Sequence, residues 1–133
     1  MNTTYDEVYK LFISITKTDG INLPDTDEKI YDLIHAAVRK NNNRMRDNLG
    51  WDDTLEQFDR ELSDDDFILL ANCIKLCFLE NDRVEYITIF SGFTKEVGIK
   101  NYNATLKGKE KAIEDQKIEI KDIVFNSDDE EIM

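Results

Sequence analysis

The stretch Ser63-Asp64-Asp65-Asp66-Phe67-Ile68-Leu69-Leu70-Ala71-Asn72-Cys73-Ile74-Lys75-Leu76-Cys77-Phe78-Leu79 decides the fold. Ser63 offers a capping oxygen, and three acids follow in the first turn, where the helix dipole favours them; Asp66 holds the capping-box position that Glu more often fills. Phe67, Leu70, Ala71, Ile74, Cys77 and Phe78 keep a three-and-four spacing. Ile68, Leu69, Leu76 and Leu79 widen the apolar arc almost all the way round. A helix that is greasy on nearly every side is wrapped by other helices or lies between subunits. It predicts an all-α bundle with this helix as the core.

Working outward, the neighbouring segments read as helices joined by polar loops. Asn2-Thr3-Thr4 can cap a first helix with Asp6 and Glu7 in its first turn, and Tyr5, Val8, Tyr9, Phe12 and Ile15 form its buried stripe. Residues 17–24 read as a loop, from the Asp19-Gly20 turn signal and Pro24. Asp25 or Thr26 can cap a second helix with Ile30, Leu33, Ile34, Ala37 and Val38 inward, ending in the basic run Arg39, Lys40, Arg44 and Arg46. Asn48-Leu49-Gly50 breaks it. Residues 51–60 are ambiguous: Asp52-Asp53 can open a short helix placing Trp51, Leu55 and Phe58 on one side.

Past the core helix, Asn81-Asp82 signals a stop. Val84 to Phe90 is β-branched, but with no partner strand in sight it reads as a separate short helix closed by Ser91-Gly92. Asn103 can cap a long last helix through Leu106, Ile113, Ile120, Ile123 and Val124, weakened by Gly108 near its start. Leu106, Ile113 and Ile120 repeat every seven residues, a thin seam amid Lys and Glu. Residues 126–133, Asn-Ser-Asp-Asp-Glu-Glu-Ile-Met, have charge and almost no core material, so they read as a mobile acidic tail that a partner would order. The expected architecture is a small bundle of four to five helices over 1–125, with a long C-terminal helix and a flexible tail at 126–133.

Composition bounds the function. In 133 residues, 17 basic against 29 acidic side chains give a net charge of −12, with 41% hydrophobic and 35% charged residues. That is too much core material for a disordered chain and too much charge for a membrane-embedded one. No apolar run approaches the roughly 20 residues of a membrane span, and the N-terminus lacks the pattern of a secretory signal. A soluble intracellular domain is expected. The acidic surface repels phosphate, disfavouring simple binding to nucleic acid or anionic lipid. Cys73 and Cys77 lie side by side on one helix face, where a disulfide needs distortion and a metal lacks further ligands; buried thiols are the plain reading.

The sequence carries none of the common motifs for chemistry. The sequence has no glycine-rich phosphate loop, His-Glu-x-x-His, Gly-x-Ser-x-Gly or Cys-x-x-Cys. Asp25-Thr26-Asp27 runs into Lys29 and fails as a Ca²⁺ loop. His35 reads as a partly buried histidine making one hydrogen bond, with no visible partner for base catalysis. The expectation is a non-enzyme without metal or cofactor.

The order of elements resembles the head–tail connector (adaptor) family of tailed bacteriophages. The likeness is carried by Tyr5-Asp6-Glu7-Val8-Tyr9-Lys10-Leu11-Phe12, Leu33-Ile34-His35-Ala36-Ala37-Val38, Trp51 ahead of Phe58, the run from Glu61 to Glu80, and Lys100-Asn101-Tyr102-Asn103. It spans most of residues 5–125. Cys77-Phe78, where a bulkier Trp-containing pair is expected, and the acidic tail depart from it. The resemblance implies a structural neck protein of the virion, made in the bacterial cytoplasm. It would form a ring, commonly a dodecamer, beneath the portal protein and above a tail-side neck or stopper protein, with DNA passing through unbound and no membrane partner. Under it, Leu106, Ile113, Ile120 and Val124 are the candidate subunit-interface seam. Asp128, Asp129, Glu130, Glu131, Ile132 and Met133 are the candidate portal-binding tail. The alternative is an acidic DNA mimic that inhibits a DNA-binding enzyme.

Overall fold

Ser63 starts the core helix as its residue type demands: its Oγ accepts from the Asp66 backbone N–H at 3.2 Å. In the computed structural model, which describes residues 1–16, 23–90 and 98–132 (side chains of 99–100 and 127–132 aside), four helices and one tiny hairpin follow in order. They are α1 (Tyr5–Ile15), α2 (Asp27–Met45), β1 (Trp51–Asp52), β2 (Gln57–Phe58), α3 (Asp64–Phe90) and α4 (Ile99–Ile132). The all-α bundle expected from the sequence is what forms.

Helix α3 is the axis on which α1, α2 and α4 all pack. Leu69 to Ile74 and Leu76 to Phe78 are buried, which is the all-round apolar arc at work. Around it close Tyr5, Val8 and Phe12 from α1, Leu33, Ile34, Ala37 and Val38 from α2, and Ile113 and Ile120 from α4. The caps fall where the residue types put them: Thr4 Oγ1 accepts from Glu7 N at 3.3 Å, and Thr26 Oγ1 from Lys29 N at 3.2 Å. Residues 17–22, part of the expected first loop, and 91–97, with the expected Ser91-Gly92 stop, lie outside the described residues. Both cysteines are free and buried, and burial pushes Cys73 up to about 12 and Cys77 up to about 11, so both stay protonated thiols near neutral pH.

Four expectations are corrected. First, Asn81-Asp82 does not end the core helix; α3 runs 27 residues, roughly 40 Å, and absorbs the separate short helix expected at Val84–Phe90. Asn and Asp cost only about 0.7 kcal/mol each in a helix interior, and contacts to α4 offset that. Lys109 Nζ reaches Asp82 at 2.6 Å, Arg83 meets Glu110 at 3.2 Å, and Tyr86 stacks on Tyr102 at 5.4 Å. Among the described residues from Leu79 to Ala112 none is buried, so the pair of helices leaves the bundle here as an arm held by side-chain contacts.

Second, residues 51–60 form an antiparallel hairpin, with Trp51 opposite Phe58 and Asp52 opposite Gln57. Asp52 Oδ1 accepts from the Thr54 and Leu55 N–H groups, the same reach a helix cap makes, but Glu56 at φ 52° turns the chain back into β2 in place of a helix. Leu55 is thus exposed at 62% while Phe58 is fully buried. The hairpin also gains a partner outside itself: Phe58 N donates to Thr3 O at 2.9 Å and Thr3 N to Arg60 O at 3.1 Å, so the N-terminal thread lies along it. A Cβ at Gly50 would stand 2.9 Å from Asp59 Oδ2, the end of a side chain that can turn aside.

Third, α4 begins at Ile99, before Asn103. Gly98 at φ 86° turns the chain in, and Tyr102 N donates to Gly98 O at 3.0 Å. Fourth, residues 126–132 continue α4 as helix where a loose tail was expected. Once a helix is nucleated, each added residue costs little.

Candidate functional site

The densest set of polar and aromatic side chains lies where the hairpin meets α1 and α2. Tyr5, at the start of α1, donates its hydroxyl to Asp53 Oδ1 at 2.5 Å. His35, in mid-α2, places Nε2 2.8 Å from the same oxygen. A carboxylate only accepts, so Nε2 carries the proton in this contact. The His35 ring stacks on Trp51 at 4.5 Å and 17°, and Arg39 covers the indole 5.5 Å from its centroid. Tyr31 continues the stack below His35 and meets Tyr5 edge-on at 5.6 Å. Tyr31, His35 and Arg39 recur every four residues, so they form one row on α2, and the hairpin lays Trp51 and Asp53 along it.

Charge in this cluster is set by burial and hydrogen bonds. Burial opposes the Asp53 carboxylate, but the Tyr5 and His35 hydrogen bonds outweigh it and hold the group below its ordinary value of 3.8. Burial first, then the bond to Asp53, pushes the Tyr5 hydroxyl far above its usual 10.0. The phenol therefore stays a donor. An imidazole oriented by a carboxylate is half of an acid–base device. The hydroxyl in this trio is a phenol that keeps its own proton and donates it to Asp53, so Tyr5 and His35 both donate to one carboxylate oxygen. The cluster pins the hairpin to the bundle.

That pin has a pH signature. A carboxylate depressed on folding contributes stability that is complete above its unfolded value and is lost as pH falls through the folded one. The urea midpoint is expected to drop between about pH 5 and pH 2, and to drop less steeply in Asp53→Asn. Parallel slopes for the two proteins would show that Asp53 is not a source of the acid sensitivity.

Two of the clefts among the described residues bear on the site. One of about 380 Å³ opens between the start of α2 and the middle of α3, floored by Leu33 and Phe78 and rimmed by Asp25, Asp32, Asp82 and Glu85. Two rim acids are engaged, Asp25 by Lys29 at 3.2 Å and Asp82 by Lys109. Among the described residues no three His, Cys, Asp or Glu side chains converge as metal ligands do, and no described helix is long and apolar enough to cross a membrane. The other cleft runs between α1's end, α3 and α4, where buried Gln116 donates to Asn72 O and Oδ1, each at 3.0 Å.

The expected seam on α4 is divided by the structure. Ile113 and Ile120 are buried in their own subunit's core, Val124 packs against it, and Leu106 is half-buried on the arm. The first two are covered within their own subunit. Asp128, Asp129, Glu130, Glu131 and Ile132 belong to the helical end of α4, but their side chains, like Met133 as a whole, lie outside the described residues. Sequence reading missed the Tyr5–Asp53–His35 meeting, since its members are 18 and 48 residues apart. The four-residue spacing of Tyr31, His35 and Arg39 is the signal in the sequence for this stacked face.

Comparison with known proteins gives one consistent answer. Residues 1–129 match the model of a family described as YomZ prophage protein. The chain is also similar to the SPbeta prophage-derived uncharacterized protein YomZ of Bacillus subtilis (strain 168), 36% identical over 125 residues, covering 94% of this chain and 95% of that one. No solved structure matches. These findings overturn the resemblance to the head–tail connector family. A succession of amphipathic helices with similar apolar spacing is common to many small bundles and does not identify one family.

Proposed function

Because the chain belongs to the YomZ prophage protein family, we propose that it is a non-enzymatic structural component of a phage particle that works through protein–protein contacts. One observation carries this reading. After the core is complete, α4 still presents Ile118 at 55% and Phe125 at 64% exposure on its outward side. Large apolar side chains that the fold does not use are what an assembly surface needs. The chemistry of the pinned cluster supports it: Asp53 is bonded by two donors, His35 is sandwiched, and both thiols are buried.

A ring under a portal with DNA sliding through it rested on the connector resemblance, so the reading kept here is the broader one, a virion protein present in several copies. The DNA-mimic alternative has less support, since a mimic needs rows of acids. The outward side of α4 instead carries both signs, Lys107, Lys111 and Lys121 together with Asp115, Glu119 and Asp122. The test is mass spectrometry of gradient-purified particles from the phage that encodes the chain. Several copies per particle are expected. A chain abundant in the lysate yet absent from particles, or held one-to-one by a nuclease or polymerase, would overturn the reading.

A further inference from the structure

The charge along α4 runs against its own dipole. The half up to Asp115 carries Lys100, Lys107, Lys109 and Lys111 against Glu110, Glu114 and Asp115, whereas the half after it carries Lys117 and Lys121 against Glu119, Asp122 and the closing Asp128-Asp129-Glu130-Glu131. Its first turn holds no acid and its last no base. A helix dipole favours the opposite order, so this arrangement is a local cost. Most of these charges are also not used against α3, which takes Lys109 and Glu110 alone among those in the first half with described partners.

The outward face has a matching gradient in size. Opposite the buried line of Ile113, Gln116 and Ile120 lies an exposed line that opens with Ala104 and Gly108 and closes with Ile118 and Phe125. Nothing stands within 4 Å of where a Cβ on Gly108 would be. Small and basic at one end, large and acidic at the other: a helix of this kind is complementary to itself turned end for end.

We propose that this face docks a second copy of the chain, α4 against α4 in antiparallel register about a two-fold axis beside Asp115. Reversing the helix about that point sets Phe125 over Ala104 of the second copy, Lys107 beside Asp122, and the stem of Lys111 along Ile118, each contact occurring twice by symmetry. The contact line from Ala104 to Phe125 is about 32 Å long at 1.5 Å per residue. Basic and acidic halves then face each other, which offsets the dipole cost within the single helix. Asp115 is mismatched: half a residue from the axis, it meets the acids Glu114 and Asp115 of the second copy, so it weakens the pairing. This pairing deepens the structural-component reading and rests on it for its biological use.

Cysteine cross-linking of the full-length protein tests the register, because Cys73 and Cys77 are buried and protonated. Asp115→Cys is expected to form a disulfide dimer under mild oxidation. Ala104→Cys alone is expected not to, whereas Ala104→Cys mixed with Phe125→Cys does. Sedimentation equilibrium of the unmodified chain is expected to show a dimer that salt weakens. Phe125→Ser should loosen it by about tenfold with unchanged helix content, and Asp115→Asn should tighten it. A monomer at every concentration overturns the proposal, as does efficient cross-linking of Ala104→Cys with itself, which would mean a parallel pair. Either result leaves the particle composition measured by mass spectrometry untouched, so the two readings fail separately.

Discussion

Phe12→Ala is expected to remove about 3–5 kcal/mol of stability, a large share of the 5–15 kcal/mol typical of a domain. Phe12 is fully buried, and its ring lies 5.7 Å from Phe78 on α3 and 5.3 Å from Tyr9 on its own helix. It is the point where α1 is fastened to the core helix. Helix α1 has only 11 residues, too few to persist alone, so its helicity depends on that packing. Its far end is held by Lys75 Nζ donating to Ile15 O at 2.9 Å, a contact that survives only while α1 stays docked. A melt followed by circular dichroism should shift down by roughly 10–20 °C. A loss below about 1 kcal/mol would mean that the site collapses around the missing ring and that α1 is held from elsewhere.

The second large effect separates the two sides of α4. Ile120→Asp is expected to cost at least about 4 kcal/mol, because it places a carboxylate without a partner at a position only 1% exposed. Helix content from α4 should fall with it. Ile118→Asp, two residues earlier, introduces the same charge at 55% exposure and, at a dilution where copies do not pair, is expected to change stability by no more than about 0.5 kcal/mol. Denaturant midpoints of the two variants decide the matter. Equal losses would mean that the outward side of α4 is also used within the subunit, which would remove the basis for the docking face proposed above.

Much of the secondary structure was legible because its causes are local. Thr4, Thr26 and Ser63 cap helices by reaching three residues ahead, and a reader of the sequence sees donor and acceptor together. The apolar arc of α3 likewise predicts its own burial. The candidate site was barely legible. His35 was expected to make one hydrogen bond and does so, but nothing nearby in sequence points to Asp53, and Tyr5 read simply as part of the α1 stripe. The hairpin was hidden for the same reason: its second support is the thread at Thr3, brought alongside Phe58 from the other end of α1. Apolar spacing also misled at the level of family, since many unrelated bundles share it.

By itself, the sequence determined an acidic helical chain, the starts of α1, α2 and α3, and the identity of the core helix. These follow from hydrogen bonds within one turn and from the 3.6-residue period, which involve only neighbours along the chain. Only the tertiary structure decided that α3 passes through Asn81-Asp82, that Trp51 and Phe58 pair as strands, that Tyr5 and His35 share one oxygen of Asp53, and which side of α4 is spent on the core. Those outcomes depend on what lies across the bundle. Packing there outweighs a few tenths of a kcal/mol of local preference.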